Sequence, residues 1–427
     1  MIFQHLLDPV LDASAKGFPH NSAPLHRSQI GGEGWNILRG DLPFPIAVIR
    51  QAPLAANLQW MQNFARGQGV EMAPHGKTTM SPQLFQRQLQ AGAWGMTVAT
   101  VTQLQAAISA GARSCLIANQ VFAPNDLAQI DVLKQKHAGL RILFLVDSLA
   151  QLELIELWWL SNPGAAALEV LLEIGINQGR TGCRDHPGAM LLAQRIKASQ
   201  AVTLCGIECY EGLAATGNSD ADRVYADGLM ARLVAVAVDC DAQGLFESAE
   251  VLVTAGGSAI FDLVAAQLTP ELSKPVRGVL RSGCYVTHDQ GTYKRMMGAV
   301  ASRLGCSDGL QAALEVWAAV QSRPENGLAI LTVGKRDISY DQEMPSVLRF
   351  CQRGQSVLQD APVDWQVSGL NDQHAYLRWT GAAGEALQVG DLICLGISHP
   401  CTTFDKWRWM PLVDEAYTVV DAIVTCF

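Results

Sequence analysis

The chain has 427 residues, 49% of them hydrophobic and 17% charged, with 40 acidic against 31 basic side chains for a formal charge of −9. Such proportions describe a globular protein with a large core, long enough for two domains. An acidic balance without any Lys/Arg-rich run excludes a nucleic-acid surface, which needs a basic patch. No window approaches the roughly 18 uninterrupted apolar residues of a membrane span.

The first residues carry Asp8 and Asp12 within their apolar stretch and lack a basic start, so they do not read as a signal peptide. Eleven cysteines are scattered without the dense spacing of a secreted disulfide scaffold. Together these features predict a cytoplasmic protein with reduced thiols.

Residues 1–40 contain no strand–helix unit and are expected to form a lead-in that packs against the last domain. From residue 41 short apolar runs alternate with helical stretches. The runs are 46–50, 70–73, 94–99, 115–119, 141–147, 168–175, 202–209 and 250–254. Helical stretches at 53–66, 82–91 and 124–136 open with Pro, whose missing N–H costs nothing in a first turn. Ser81 and Asp147/Ser148 are expected caps, and Gly92 and Gly111 expected stops.

Eight strands separated by helices predict a closed (β/α)₈ barrel over residues 41–275. The rival is an open doubly wound sheet, but no Gly-x-Gly-x-x-Gly follows the first strand to support a dinucleotide site. From residue 276 to 427 short apolar runs separated by Asp-Gly and Val-Gly-Asp turns predict a second, β-rich domain. The fold class expected is therefore α/β, a TIM-type barrel with a β-rich C-terminal domain.

A barrel places its chemistry in the loops at the C-terminal ends of the strands. Four unusual segments fall there: Pro74–Thr79, Asn177–Gly182, Tyr210–Gly212 and Ala255–Ser258. Gly76-Lys77-Thr78 looks like the tail of a phosphate-binding P-loop, but that motif needs Gly at position 71, which is Glu. A lone lysine is usually solvated; at a barrel mouth Lys77 could instead lose its proton and form a Schiff base. Gly256-Gly257-Ser258 is either a tight turn or a set of backbone N–H groups facing a phosphate at a helix N-terminus. Arg180 could equally be a structural ion pair, and Tyr210 a rim packing residue.

A further constellation, His399-Pro400-Cys401, lies near the end of the β-rich part. In extended chain, positions i and i+2 face one side, so an imidazole and a thiolate could hold zinc there. The alternative is a packed His beside a buried Cys. Cys205 and Cys209 are four apart on an expected strand and read as core thiols.

These residues make the chain resemble a known group. Pro74-His75-Gly76-Lys77-Thr78, the stretch 90–121, Glu173–Gly182 and Val253–Ser258 resemble the alanine-racemase-like, fold-type III pyridoxal-phosphate (PLP) enzymes. Within them the chain is similar to the D-serine dehydratase and D-threonine aldolase branch. Arg281–Tyr285, Asn371–His374 and Ser398–Cys401 extend the resemblance over residues 40–405.

The resemblance implies that Lys77 is the Schiff-base lysine and that Gly256, Gly257 and Ser258 cradle the phosphate. It puts Arg180 and Thr181 near the cofactor ring, Tyr210 and Tyr285 near phosphate or substrate, and His399 and Cys401 on a metal. It also implies a homodimer, paired barrel to β domain. The chain departs from relatives in lacking a His after Tyr210 and in having Ser282 where Pro is common.

In relatives that cleave the Cα–Cβ bond the second metal ligand is typically Asp; a thiolate such as Cys401 selects zinc over Mg²⁺ or Mn²⁺. The reaction expected is therefore metal-assisted dehydration of D-serine to keto acid and ammonia. A D-threonine or D-3-hydroxyaspartate aldolase is the alternative, and a non-catalytic PLP-binding protein the alternative of another class.

Overall fold

The computed structural model describes residues 4–427 except 213, 383, 385 and 386. Eight parallel strands form one sheet in the order of the chain. They are Glu71–Met72, Met96–Val98, Ser114–Gln120, Arg141–Val146, Leu168–Ile174, Val202–Cys209, Val251–Ala255 and Val276–Leu280. The eighth pairs with the first. A parallel bridge between His75 and Thr97 joins the first to the second and closes the ring, reinforced where the Thr97 hydroxyl donates to the Ala73 carbonyl at 2.6 Å.

Strands of such a sheet are covered on both faces, which is why they read as continuous apolar runs rather than alternating ones. Leu116, Leu143, Leu145, Leu171, Cys205 and Leu252 fill the interior. The helices cover the outside. The helix Pro82–Gln90 has Pro at its start and Ser81 as cap, its hydroxyl accepting from the Leu84 N–H. Ser148 caps Leu149–Ser161 in the same way, and Gly92 and Gly111 take the positive φ expected of stops.

Two strands differ from the sequence expectation. Ile46–Arg50, expected to open the barrel, pairs antiparallel with Leu314–Glu325 and parallel with Trp409–Val413. The eighth barrel place is taken by Val276–Leu280, expected in the β-rich part, which lies parallel to Val251–Ala255. Both are five-residue runs; periodicity cannot tell one kind of buried strand from another, and only the partner decides. Each βα loop therefore belongs to a strand one place earlier than the sequence suggested. All still open at the same end.

Among the described residues the second domain is a ten-stranded sheet built around Leu314–Glu325, which pairs antiparallel with Leu328–Leu331, Leu392–Gly396 and Ile46–Arg50. Residues of the N-terminal segment pack on this sheet. Phe18 meets the Trp35 and Trp409 rings edge-on, and the Asn36 amide donates to the Ala416 carbonyl at 2.8 Å. Among the described residues no helix is long and apolar enough to cross a membrane, and the eleven cysteines are all free.

Candidate active site

The mouth of the barrel holds a cavity of about 60 Å³ lined by His75, Lys77, Glu173, Arg180, Thr181, Glu208, Tyr210, Gly256 and Arg281, among others. Lys77 stands in a short 3-10 turn, Gly76–Thr78, just after the first barrel strand. Glycine is required at 76 because a Cβ there would lie 2.5 Å from the Phe85 ring. The turn leaves the Lys77 side chain exposed while Thr78, Thr79 and Met80 are buried.

Beneath this opening lies a buried polar layer. Arg281 donates to Glu208 at 2.6 Å and to the Cys209 carbonyl at 2.9 Å. Burial outweighs the Arg281 charge and lifts the Glu208 carboxyl to about 8. His75 is held neutral, first by burial and then by the charges of Lys77, Arg281 and Arg180. Thr181 donates to Glu173 at 2.6 Å. Arg180 lies over the Tyr210 ring, 4.7 Å from its centroid, and burial raises the Tyr210 hydroxyl. Several atoms of this layer are buried without a partner: His75 Nδ1, Glu208 Oε1, and Arg281 Nε and Nη1.

The glycine segment after the seventh strand is enclosed differently from the simple cradle expected. The Gly256 and Gly257 N–H groups both donate to Glu211, at 3.0 and 2.5 Å. Ser258 Oγ instead accepts from the Gly283 and Cys284 N–H groups, each at 3.3 Å. A Cβ on Gly256 would lie 2.4 Å from Arg281 Cβ, so this loop sits flush against the eighth strand's end. Tyr285 is not at the mouth: its hydroxyl accepts from Gln88 at 3.2 Å inside the layer between barrel and helices.

His399 and Cys401 come from the second domain. They do not lie on extended chain as the i, i+2 argument supposed, because Pro400 is helical and Cys401 opens a short helix, Cys401–Phe404. The turn nevertheless brings the two side chains into hydrogen-bond contact. The His399 Nδ1 meets Asp341 at 2.5 Å; bonding to Cys401 first, and Asp341 after it, lifts the imidazole to about 9. Cys401 Sγ lies 3.5 Å from Thr78 Oγ1, the neighbour of Lys77, and 3.7 Å from Cys284 Sγ. Cys401 is thereby held low, by Cys284 first, and Cys284 well above the usual thiol range.

A second cavity of about 140 Å³ is lined by Gly212, Thr292, Tyr293, Met296, Ser398 and His399, among others. The structure thus brings Lys77, Arg180, Thr181, Tyr210 and Gly256 to one cavity, with Gly257 and Ser258 packed behind it. Reading the sequence missed Glu208, Asp341 and Tyr293, and gave no role to Glu211 or Arg281, although both lie in segments it singled out. A carboxylate inside an apolar strand, as in the run Val202–Cys209, was the one available signal. Cys205 and Cys209 are buried core thiols, as expected, and Asn371–His374 forms the exposed tip of the hairpin joining Gln366–Leu370 to Ala375–Arg378.

Comparison with known proteins agrees with this architecture. The family model of the alanine racemase N-terminal domain matches residues 49–270, and that of a putative serine dehydratase domain matches residues 313–413. A D-threonine aldolase of Arthrobacter sp. is 27% identical over 383 residues, 89% of this chain and 90% of that one. A D-threo-3-hydroxyaspartate dehydratase of Delftia sp. is 27% identical over 373 residues, 85% and 92% of the two chains. The crystal structure of a D-threonine aldolase from Filomicrobium marinum superposes with a TM-score of 0.74 at 22% identity, covering 90% of this chain and 95% of that one. With the alanine racemase model spanning more than half its length, the chain belongs to the alanine racemase N-terminal domain family, the fold-type III PLP enzymes.

Proposed function

We propose that this protein is a PLP-dependent lyase that removes the β-hydroxyl of a D-3-hydroxy amino acid, D-serine foremost, giving a keto acid and ammonia. The observation that carries the reading is the approach of Cys401, with His399 behind it, to Thr78 beside Lys77. It joins a lone reactive lysine to a soft metal-ligand pair across the domain boundary, where substrate pockets are favoured.

The residues fit the cofactor. His75, Glu208 and Arg281 all line the cavity and each carries a buried polar atom without a partner, which suits a polar guest. Bound there, PLP supplies a ring that takes up the charge left when a Cα proton departs. In this reading Lys77 would hold the cofactor, and its amine would be the base that takes the Cα proton. Ser258, on which the N–H groups of Gly283 and Cys284 converge, would take the phosphate, while Glu211 holds the Gly256–Gly257 turn through its backbone N–H groups. Arg180, braced on Tyr210, and Thr181, bonded to Glu173, flank the ring.

His399 and Cys401 fit zinc, one imidazole and one thiolate. Asp341 holds the far ring nitrogen of His399, as the outer partners of metal-bound histidines do. Zinc there would supply positive charge where the β-oxygen leaves, since hydroxide is a poor leaving group. The chelated protein should therefore keep its cofactor and lose the reaction.

The test is release of pyruvate and ammonia from D-serine by PLP-loaded protein, with and without a chelator. Pyruvate that disappears on chelation and returns with zinc supports the dehydratase. The D-threonine aldolase relative favours a second reading, cleavage to glycine and an aldehyde, and glycine as main product from D-threonine would establish it. Bound PLP with no turnover of any D-3-hydroxy amino acid would leave a non-catalytic PLP-binding protein. A homodimer remains part of the proposal, and a strictly monomeric sedimentation profile would contradict it.

A further inference from the structure

His399 and Cys401 make an incomplete set of ligands. Catalytic zinc sites take three protein ligands and leave the fourth position open, and Cys₂His is one of the recurring sets. A second thiol is already at hand. Cys284, at the end of the eighth barrel strand, has its Sγ 3.7 Å from Cys401 Sγ and its side chain buried. Two sulfurs bound to one zinc at about 2.3 Å with a tetrahedral angle stand about 3.8 Å apart. The spacing of the two thiols is therefore that of a pair of thiolates on a single ion.

We propose that Cys284 is the third protein ligand of the metal held by His399 and Cys401, making a Cys₂His site that straddles barrel and β domain. The proposal rests on the reading that this pair binds zinc. As they stand the three side chains form a row, His399 to Cys401 to Cys284, and among the described residues no three such groups surround a common point. An ion between the two sulfurs would displace both thiol protons, and the His399 ring, held at Nδ1 by Asp341 and already in contact with Cys401, would supply the third corner.

Thr78 supports this arrangement. Its hydroxyl lies 3.7 Å from Cys284 Sγ and 3.5 Å from Cys401 Sγ, bridging the two sulfurs from the side of Lys77. Tyr293 hydrogen-bonds Cys284 as well, as outer partners do around metal-bound sulfur. The open fourth position would face the cavity lined by Tyr293, Met296 and His399. Cys284 also presents its backbone N–H to Ser258, so one residue would join the metal to the phosphate side of the pocket.

X-ray absorption at the zinc edge tests this on the PLP-loaded protein given one equivalent of zinc. Two sulfur scatterers at about 2.3 Å are expected. A single sulfur would overturn the inference while leaving the His399–Cys401 reading intact, and failure to retain zinc would overturn both. In Cys284→Ser the sulfur number should fall from two to one and zinc affinity, measured by chelator competition, should drop at least about tenfold. The visible cofactor band of the same variant reports that it is folded. A folded Cys284→Ser protein with unchanged zinc affinity would equally sink the assignment.

Discussion

At the scale of single residues, the mouth of the barrel sets one exposed lysine above a layer of buried charge. Lys77→Ala should leave the fold intact, because its side chain is exposed. It should abolish the visible absorbance of the bound cofactor; a variant that keeps the band would remove Lys77 from its role. Glu208 makes a second expectation. Its carboxyl is lifted to about 8 in the folded protein from an ordinary 4.5, so the fold binds this proton more tightly than the unfolded chain does. That contribution is complete below about pH 4.5 and is lost as pH rises through about 8. The urea midpoint of the cofactor-free protein should fall between about pH 6 and about pH 9, and Glu208→Gln should flatten the slope. An unchanged slope in that variant would refute the assignment. Arg281→Met, which removes the donor to Glu208 and to the Cys209 carbonyl, should cost about 1–3 kcal/mol. Lys77, Arg180 and Tyr210 were legible because loop position and resemblance agreed. Tyr285 was not, since it lies in a 3-10 turn, Cys284–Val286, beyond the strand's end, and the sequence does not say which way such a turn points its side chain. Asp341 and Glu211 act on groups distant in sequence or through backbone N–H groups, and neither leaves a spacing to read.

At the scale of elements, periodicity told strands from helices but not one sheet from another. Ile46–Arg50 and Val276–Leu280 are equally short, and only pairing separates them. A glycine within a strand carried more information than its neighbours. Gly206 lies midway along Val202–Cys209, where the register against Leu168–Ile174 shifts between Val170 and Leu171. Such an interior glycine marks a bulge or a close backbone approach. Here it is both: the register shift falls at Gly206, and a Cβ there would lie 1.9 Å from the Leu252 carbonyl oxygen of the next strand. Backbone cannot yield as a side-chain tip can, so Gly206→Ala should destabilise by about 1–3 kcal/mol or more. Its loss of denaturation midpoint should exceed that of Gly228→Ala, where a Cβ meets nothing within 4 Å. Equal midpoints would mean that the two strands part more easily than their register suggests.

At the scale of the whole molecule, the exchange of those two strands ties the domains together. The chain enters the second domain with Ile46–Arg50, builds the barrel from Glu71 to Leu280, and returns. A fragment cut at the boundaries the sequence suggested, residues 41–275, would keep a strand that belongs elsewhere and lose the one that closes the ring. Glu71–Met72 and Val251–Ala255 would then face an open gap, since Val276–Leu280 is the partner of both. Exposed parallel edges beside an uncovered apolar strand recruit other chains. That fragment should elute as aggregate and unfold without a cooperative transition, whereas the full chain should unfold cooperatively. A monomeric 41–275 fragment with a sharp urea transition would show the barrel to be self-sufficient. It would also weaken the case for a site shared between domains, because the approach of Cys401 to Thr78 depends on holding the second domain against the barrel mouth.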